Sequence, residues 1–240
     1  MSGLTGAQFI TQFRTIGGFN TVNPTNPIIL GHINNIRRGM VVSSGPIAVC
    51  PLLDLYPALS GEMGALAVAR SIDLVADTER YACAAFDKLA KASVKYGASD
   101  DYAAVPPDRV LNVRLDYNSP LADAADTDNP ILAFYGGYVS IFPRPGEAVT
   151  GGLLLDILSL PDADITAASA AVDESRRICL AEVKAALGAY YASMEGKDNE
   201  AAKWVGQAYN EIQRIRRESP GRSLPQKVIF GGNNLSKHLD

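Results

Sequence analysis

Apolar positions recur at helical spacing most clearly between Val172 and Arg217. Leu180, Val183, Leu187, Tyr190, Tyr191 and Met194 follow at intervals of three and four, so they share one stripe of a helix. Ala201, Trp204, Val205, Ala208, Ile212 and Ile215 repeat the pattern, with Lys203, Gln207, Asn210 and Arg214 on the opposite face. Between the stripes stands Glu195-Gly196-Lys197-Asp198. Its glycine suits a left-handed helix stop and its aspartate suits the next N-cap. The spacing predicts two antiparallel helices joined by a tight turn. The apolar surface of one hairpin is too small to offset the entropy of ordering it, so the rest of the chain must supply a third surface.

Helical spacing also marks the first half. Thr5 and Gln8 have capping-box spacing, Leu4 and Phe9 can staple, and Phe9, Ile10, Phe13 and Ile16 make one face before Gly17-Gly18 ends the helix. Ile28 to Arg38 reads as a short helix with Asn26 as cap and Pro27 in its first turn. Pro46, Pro51 and Pro57 interrupt the apolar run from Val41 to Pro57, which predicts an ordered connection. From Ser60 to Tyr96 the spacing again predicts helix, through Leu66, Ala69, Ile72 and Val75, then Tyr81, Ala85, Leu89 and Ala92.

At Pro106-Pro107 the period changes. Val110 to Tyr117 alternates as a half-buried strand does, and Ile131–Phe134, Tyr138–Phe142 and Leu153–Leu158 are further strand candidates. Gly136-Gly137 suits a tight turn between the middle two, and the acidic stretch Asp116 to Asn129 suits a surface loop. The expected fold is α+β: mainly a helical bundle (1–104 and 165–218), an inserted small antiparallel sheet (105–164) and an extended C-terminal docking tail (219–240).

The chain has 240 residues, 47% hydrophobic and 20% charged, enough for one large or two small cores. No apolar run reaches the length of a membrane span, and the N-terminus lacks the pattern of a secretory signal. Cys50, Cys83 and Cys179 are odd in number and widely spaced, which points to buried thiols in a reducing cytoplasm. A net charge of −4 speaks against sequence-independent DNA binding by the whole surface. The charge is uneven: Arg214, Arg216, Arg217, Arg222, Lys227 and Lys237 face only Glu218 and Asp240 at the C-terminal end.

Candidate chemistry is sparse, and no catalytic residue, metal or cofactor is expected. His32 lies among isoleucines and reads first as a structural histidine, while His238 sits near the end. The pairs Asp162/Asp164 and Asp126/Asp128 more often mark turns or helix starts than cation sites. Arg176-Arg177 reads as a polar helix face, Tyr190-Tyr191 as core and interface, and Gly196-Lys197 lacks the rest of a phosphate loop. The basic tail is the strongest functional signal. Arg214, Arg216, Arg217, Arg222 and Lys227 could reach a partner's carboxylates, with Phe230 as apolar anchor.

The order of segments resembles a known family. Tyr135-Gly-Gly-Tyr-Val-Ser-Ile-Phe-Pro-Arg-Pro-Gly146 looks like a strand closing in an aromatic-Pro-x-Pro turn. Leu153 to Pro161, Asp162-Ala-Asp-Ile165, and a helix pair with Tyr190, Tyr191, Lys197, Asp198 and Ala201-Ala202 follow it. With the Leu4-Thr5-Gly6 opening, this resembles the adaptor (head-to-tail connector or head-completion) proteins of tailed bacteriophages. The resemblance implies a non-enzymatic virion protein, made in the bacterial host cytoplasm and placed at the head-to-tail junction. It implies self-association into a ring, typically dodecameric, that binds the portal protein and a tail (nozzle or tube) protein. Such a ring passes DNA without reading its sequence and touches no membrane. A C-terminal segment inserted into the portal would suit the basic tail. The alternatives are a minor capsid or tail protein at another site, or a helical accessory hydrolase built on scattered acids such as Asp162 and Asp164.

Overall fold

The structure, a computed structural model, describes residues 4–219 apart from 57, 173 and 174. The first part of the chain holds β1 (Leu4–Thr5), α1 (Gly6–Gly17), α2 (Asn26–Arg37), β2 (Val42–Ser44), β3 (Ile47–Val49) and α3 (Pro51–Leu55). The middle holds β4 (Ala67–Leu74), β5 (Arg80–Ala82), β6 (Lys88–Val94), β7 (Ala103–Ala104), β8 (Val110–Leu111), α4 (Pro120–Asp123), β9 (Ile131–Tyr135), β10 (Tyr138–Phe142) and β11 (Val149–Leu158). The last part holds β12 (Ala171–Val172), α5 (Arg176–Ala192) and α6 (Asp198–Glu218). These elements form two compact units. Among the described residues, one joins the chain up to Ala67 with the stretch from Leu160 to Ser219; the other is Val68–Ser159.

In the first unit α5 is the central element. Ile178, Cys179, Ala181, Glu182, Val183, Ala185, Ala186, Leu187, Gly188 and Ala189 are all buried, so it is covered on nearly every side. Helices α1, α2, α3 and α6 pack around it, supplying the third surface that the hairpin needs. Small residues allow close approach: a Cβ on Gly188 would lie 2.9 Å from a Val205 methyl. Gly188 meets Val205 while Lys184 meets Glu211 and Arg177 meets Glu218, so α6 runs antiparallel to α5. Gly196, with φ of 72°, makes the left-handed stop between them. The buried face of α6 is Ala201, Trp204, Val205, Ala208, Ile212 and Ile215, as its spacing predicts, with Glu211 added.

Local signals place the other helices. The Thr5 amide donates to Gln8 Oε1 at 2.9 Å within the predicted capping box, and Gly18 ends α1 with φ of 70°. Thr25, one residue before the predicted Asn26, caps α2, and Pro27 sits in its first turn. The predicted connection at 41–57 folds into the β2–β3 hairpin, turning at Gly45, and then α3. Strand β1 pairs with β12, Leu4 opposite Val172. Buried Asn34 both donates to the Ile165 carbonyl at 3.2 Å and accepts from its amide at 3.0 Å, which ties the segment before α5 to α2.

The second unit is built of two four-stranded sheets, in the orders β5-β10-β9-β8 and β4-β11-β6-β7. Their inner faces meet in one core: Tyr81, Leu132, Phe134, Val139 and Ile141 from the first, Leu74, Leu89, Ala92, Val94, Leu153, Leu155 and Ile157 from the second.

The expected fold class is overturned. Among the described residues helix makes up 38% and strand 24%, with six helices beside four sheets of 2–4 strands, so the fold is mixed α/β and not a helical bundle with one small sheet. The main difference lies in the first half of the middle unit. The stretch from Ser60 to Tyr96, expected as helix, forms short 3-10 turns and then β4, β5 and β6. Its i, i+3 pair Leu89/Ala92 comes from a β-bulge: Asp156 pairs with Lys91 and Ile157 with Leu89, leaving Ala90 as the extra residue. The strand expected over Val110 to Tyr117 stops at Leu111, and it pairs with β9 in parallel. Leu115 instead turns into a second small core with Ala122, Ile131, Ala133 and Phe142. The strands at 131–134, 138–142 and 153–158 form as the alternation predicts, the last beginning earlier, at Val149. The extended tail expected at 219–240 lies, from residue 220 on, outside the described residues.

Candidate functional site

Side chains alternate along a strand, and that decides what the β9–β10 hairpin presents. Tyr135 pairs with Tyr138, Ala133 with Ser140 and Ile131 with Phe142; Arg80 of β5 pairs with Ser140. These residues share the outer face of their sheet, since the intervening Leu132, Phe134, Val139 and Ile141 fill the core. One half of that outer face is covered. Leu115 and Ala122, from the segment after β8, pack on Ile131, Ala133 and Phe142. The other half is open. There Arg80, Arg114, Tyr135, Gly136, Tyr138 and Ser140 line a recess of about 180 Å³.

This recess combines two guanidinium groups with two tyrosines that are 62% and 49% exposed at Tyr135 and Tyr138. The turn that holds the tyrosines side by side is Gly136-Gly137, with φ of 59° and 81°, the conformation that a two-residue hairpin turn requires. Arg80 has no ion pair among the described residues. Arg114 meets Asp116 at 3.4 Å with both side chains mostly in solvent, a pairing that contributes little. Exposed Tyr and Arg grouped around a recess form the composition enriched at protein interfaces, and a guanidinium pair suits a carboxylate.

The covering segment is itself well held. Arg109 Nη1 donates to the Asn129 carbonyl at 2.8 Å and to that of Ala124 at 3.3 Å. The Asp126 carboxylate accepts from the amides of Asn129 (2.7 Å) and Asp128 (2.9 Å). Those amides, Asn129 foremost, hold its carboxyl below the usual range. Tyr117 lies under the Arg144 guanidinium at 4.0 Å, and Arg144 pairs with Glu79 at 2.9 Å. Asp116, Asp123, Asp126 and Asp128 are all exposed on this segment.

Of the docking residues predicted from sequence, Arg214, Arg216 and Arg217 are described, and the first two are engaged within the chain. Arg214 pairs with Glu211 and, at 2.7 Å, with Glu218. Glu211 also takes Lys184 at 2.6 Å, and Arg177 joins Glu218 (3.4 Å) to Glu62 (3.0 Å). Burial pushes the Glu211 carboxyl up, but Lys184 and Arg214 overcome this and hold it below its usual range. Arg216 donates to the Asp54 carbonyl from both Nε (2.9 Å) and Nη2 (2.5 Å). Arg217 is exposed and has no ion pair among the described residues. It lines an open hollow of about 550 Å³ with Tyr209, Asn210, Gln213, Arg214 and Glu218. Arg222, Lys227 and Phe230 lie outside the described residues.

Of the other candidates, His32 and Asp164 have structural partners. His32 meets Tyr190 edge-on at 5.5 Å, in a cluster with Phe13, Phe19 and Tyr191, and burial lowers its pKa. Asp164 pairs with Arg38 at 2.6 Å, while Asp162 and Arg176 are exposed. The three cysteines are buried and none is in a disulfide among the described residues. Among the described residues no group of His, Cys, Asp or Glu could hold a metal ion, and no helix is long and apolar enough to cross a membrane.

Sequence reasoning passed over Arg80, Arg114 and Ser140 as site residues, and it read Tyr135 and Tyr138 only as part of a strand and its turn. The Gly136-Gly137 turn with period-two alternation was enough to put the two tyrosines on one face. Nothing in the spacing joined Arg80 to them. A scan against protein-family models and a search of curated proteins each returned no match to the chain.

Proposed function

We propose that the chain is a structural protein of a tailed bacteriophage, an adaptor that self-associates into a ring between portal and tail and extends the DNA channel. The observation that carries this reading is the open recess at the β9–β10 hairpin. It groups Tyr135, Tyr138, Arg80 and Arg114 on a rigid sheet in a composition suited to a protein partner. Two further points support it. The segments that carry the family resemblance fold as a strand hairpin, then a strand, then a close-packed helix pair, in the order expected of an adaptor. The net charge of −4 suits a surface past which DNA moves without being gripped.

The test is direct. Native mass spectrometry of the full chain over rising concentration should show a closed ring of fixed subunit number. Tagged protein in tailed particles should appear by cryo-electron imaging directly beneath the portal. A chain that stays monomeric and lies elsewhere in the particle would overturn the reading.

A further inference from the structure

The recess and the acidic segment beside it are complementary parts of one surface. We infer that the recess lined by Arg80, Arg114, Tyr135 and Tyr138 receives the acidic loop 116–129 of a second copy of this chain, in a head-to-tail contact. This rests on the self-association proposed above and names the surfaces that make it.

Size and charge select the occupant. A recess of about 180 Å³ is smaller than the roughly 300–1,000 Å³ of a small-molecule site, but it admits one or two carboxylate side chains. Two guanidinium groups with no strong partner at the recess call for negative charge, and tyrosine faces on either side add apolar contact. On the same unit, the stretch from Asp116 to Asn129 carries four aspartates and no Lys or Arg. It also exposes apolar surface, with Leu121 at 54%.

Preorganisation favours this loop over a loose acidic peptide. Arg109 grips it at Ala124 and Asn129, and Asp126 is fixed by the amides of Asp128 and Asn129. Asp123 and Asp128 are therefore offered to solvent from an already ordered backbone, so little entropy is lost on docking.

Within one copy the loop meets the recess only through the solvated Arg114–Asp116 pair. The rest of the loop is held on the covered part of that face, where Leu115 and Ala122 pack with Ile131 and Phe142, while the recess opens at the Tyr135–Tyr138 end. The contact thus joins unlike surfaces of identical chains, which is the heterologous type that closes rings.

Charge reversal tests it. The variants Arg80→Glu/Arg114→Glu and Asp123→Lys/Asp128→Lys each leave the residues that shape the loop, Arg109 and Asp126, in place. Circular dichroism checks that each folds. By sedimentation velocity, each alone should associate on the order of 100-fold more weakly than the wild type, and an equimolar mixture of the two should regain association. A milder Arg80→Gln/Arg114→Gln variant gives the same readout without reversed charge. Wild-type association untouched by the recess variants would overturn this contact and leave the adaptor reading standing. A wild type that never self-associates would overturn both. Binding of a poly-glutamate peptide or a single-stranded oligonucleotide, lost on Arg80→Glu/Arg114→Glu without any self-association, would give the recess to a foreign partner and overturn the proposal.

Discussion

The C-terminal end of α6 and the recess beside the β9–β10 hairpin both carry arginines and hold them in different ways. On α6, Arg214 lies between Glu211 and Glu218, and Arg216 is turned onto the Asp54 carbonyl. At the recess, Arg80 has no ion pair among the described residues and Arg114 has only a solvated one. Arg216 thus ties α6 to α3 and Arg214 pairs along α6 itself, leaving Arg217 as the exposed one, whereas both recess arginines are open to a partner. A run of basic residues in a sequence therefore measures charge and not availability. What decides availability is whether carboxylates stand three or four residues away on the same helix, or arrive from a distant element.

The contrast is easiest to break in the helical unit. Arg37 and Glu182 form a pair at 3.8 Å, with side chains 7% and 0% exposed. Arg37→Met removes a cation from beside the fully buried Glu182 carboxylate and should cost about 3–5 kcal/mol. The measurement is the urea midpoint, and adding Glu182→Leu should recover most of the loss.

A smaller effect, with a pH signature, belongs to Glu211. Removing its charge with Glu211→Gln should cost roughly 1.5–3 kcal/mol at neutral pH, because hydrogen bonds from Lys184 and Arg214 go to a carboxylate. The folded pKa lies below the usual carboxylate value, so this contribution is complete above about pH 4.3 and is lost as pH falls through the folded pKa. Urea midpoints of wild type and variant should therefore differ at pH 7 and converge in acid. A gap that persisted at acid pH would show that shape, not charge, holds Glu211 in place.

The smallest stability effect should come from the recess. Arg80→Gln/Arg114→Gln should leave stability within about 0.5 kcal/mol of wild type, since neither arginine supports the fold. A larger drop in thermal midpoint would place these residues with the α6 arginines and erase the distinction.

Legibility follows the same line. The α5–α6 pair could be read because its apolar period runs unbroken and its turn carries Gly196. The β9–β10 hairpin could be read because its strands alternate cleanly about two glycines. The β4–β6 region could not. One extra residue at Ala90 shifts Leu89 against Ala92 and Val94, turning a period of two into a spacing that imitates a helix. Alanine-rich stretches such as Ala82 to Ala85 give no β-branched signal to correct it. The candidate site was half legible. Tyr135 and Tyr138 follow from local pattern, but Arg80 reaches them through a pairing some sixty residues away, and the engagement of Arg216 with Asp54 spans the helical unit.

The interrupted course of the helical unit bears on how the chain is made. A ribosome delivers Val68–Ser159 as one unbroken stretch, so both sheets can close over their core before α5 has emerged. The earlier helices have no such freedom. Strand β1 waits for Ala171–Val172, and α1 and α2 wait for the helix against which they pack. The middle of this polypeptide is thus equipped to settle first, and its beginning is completed by its end.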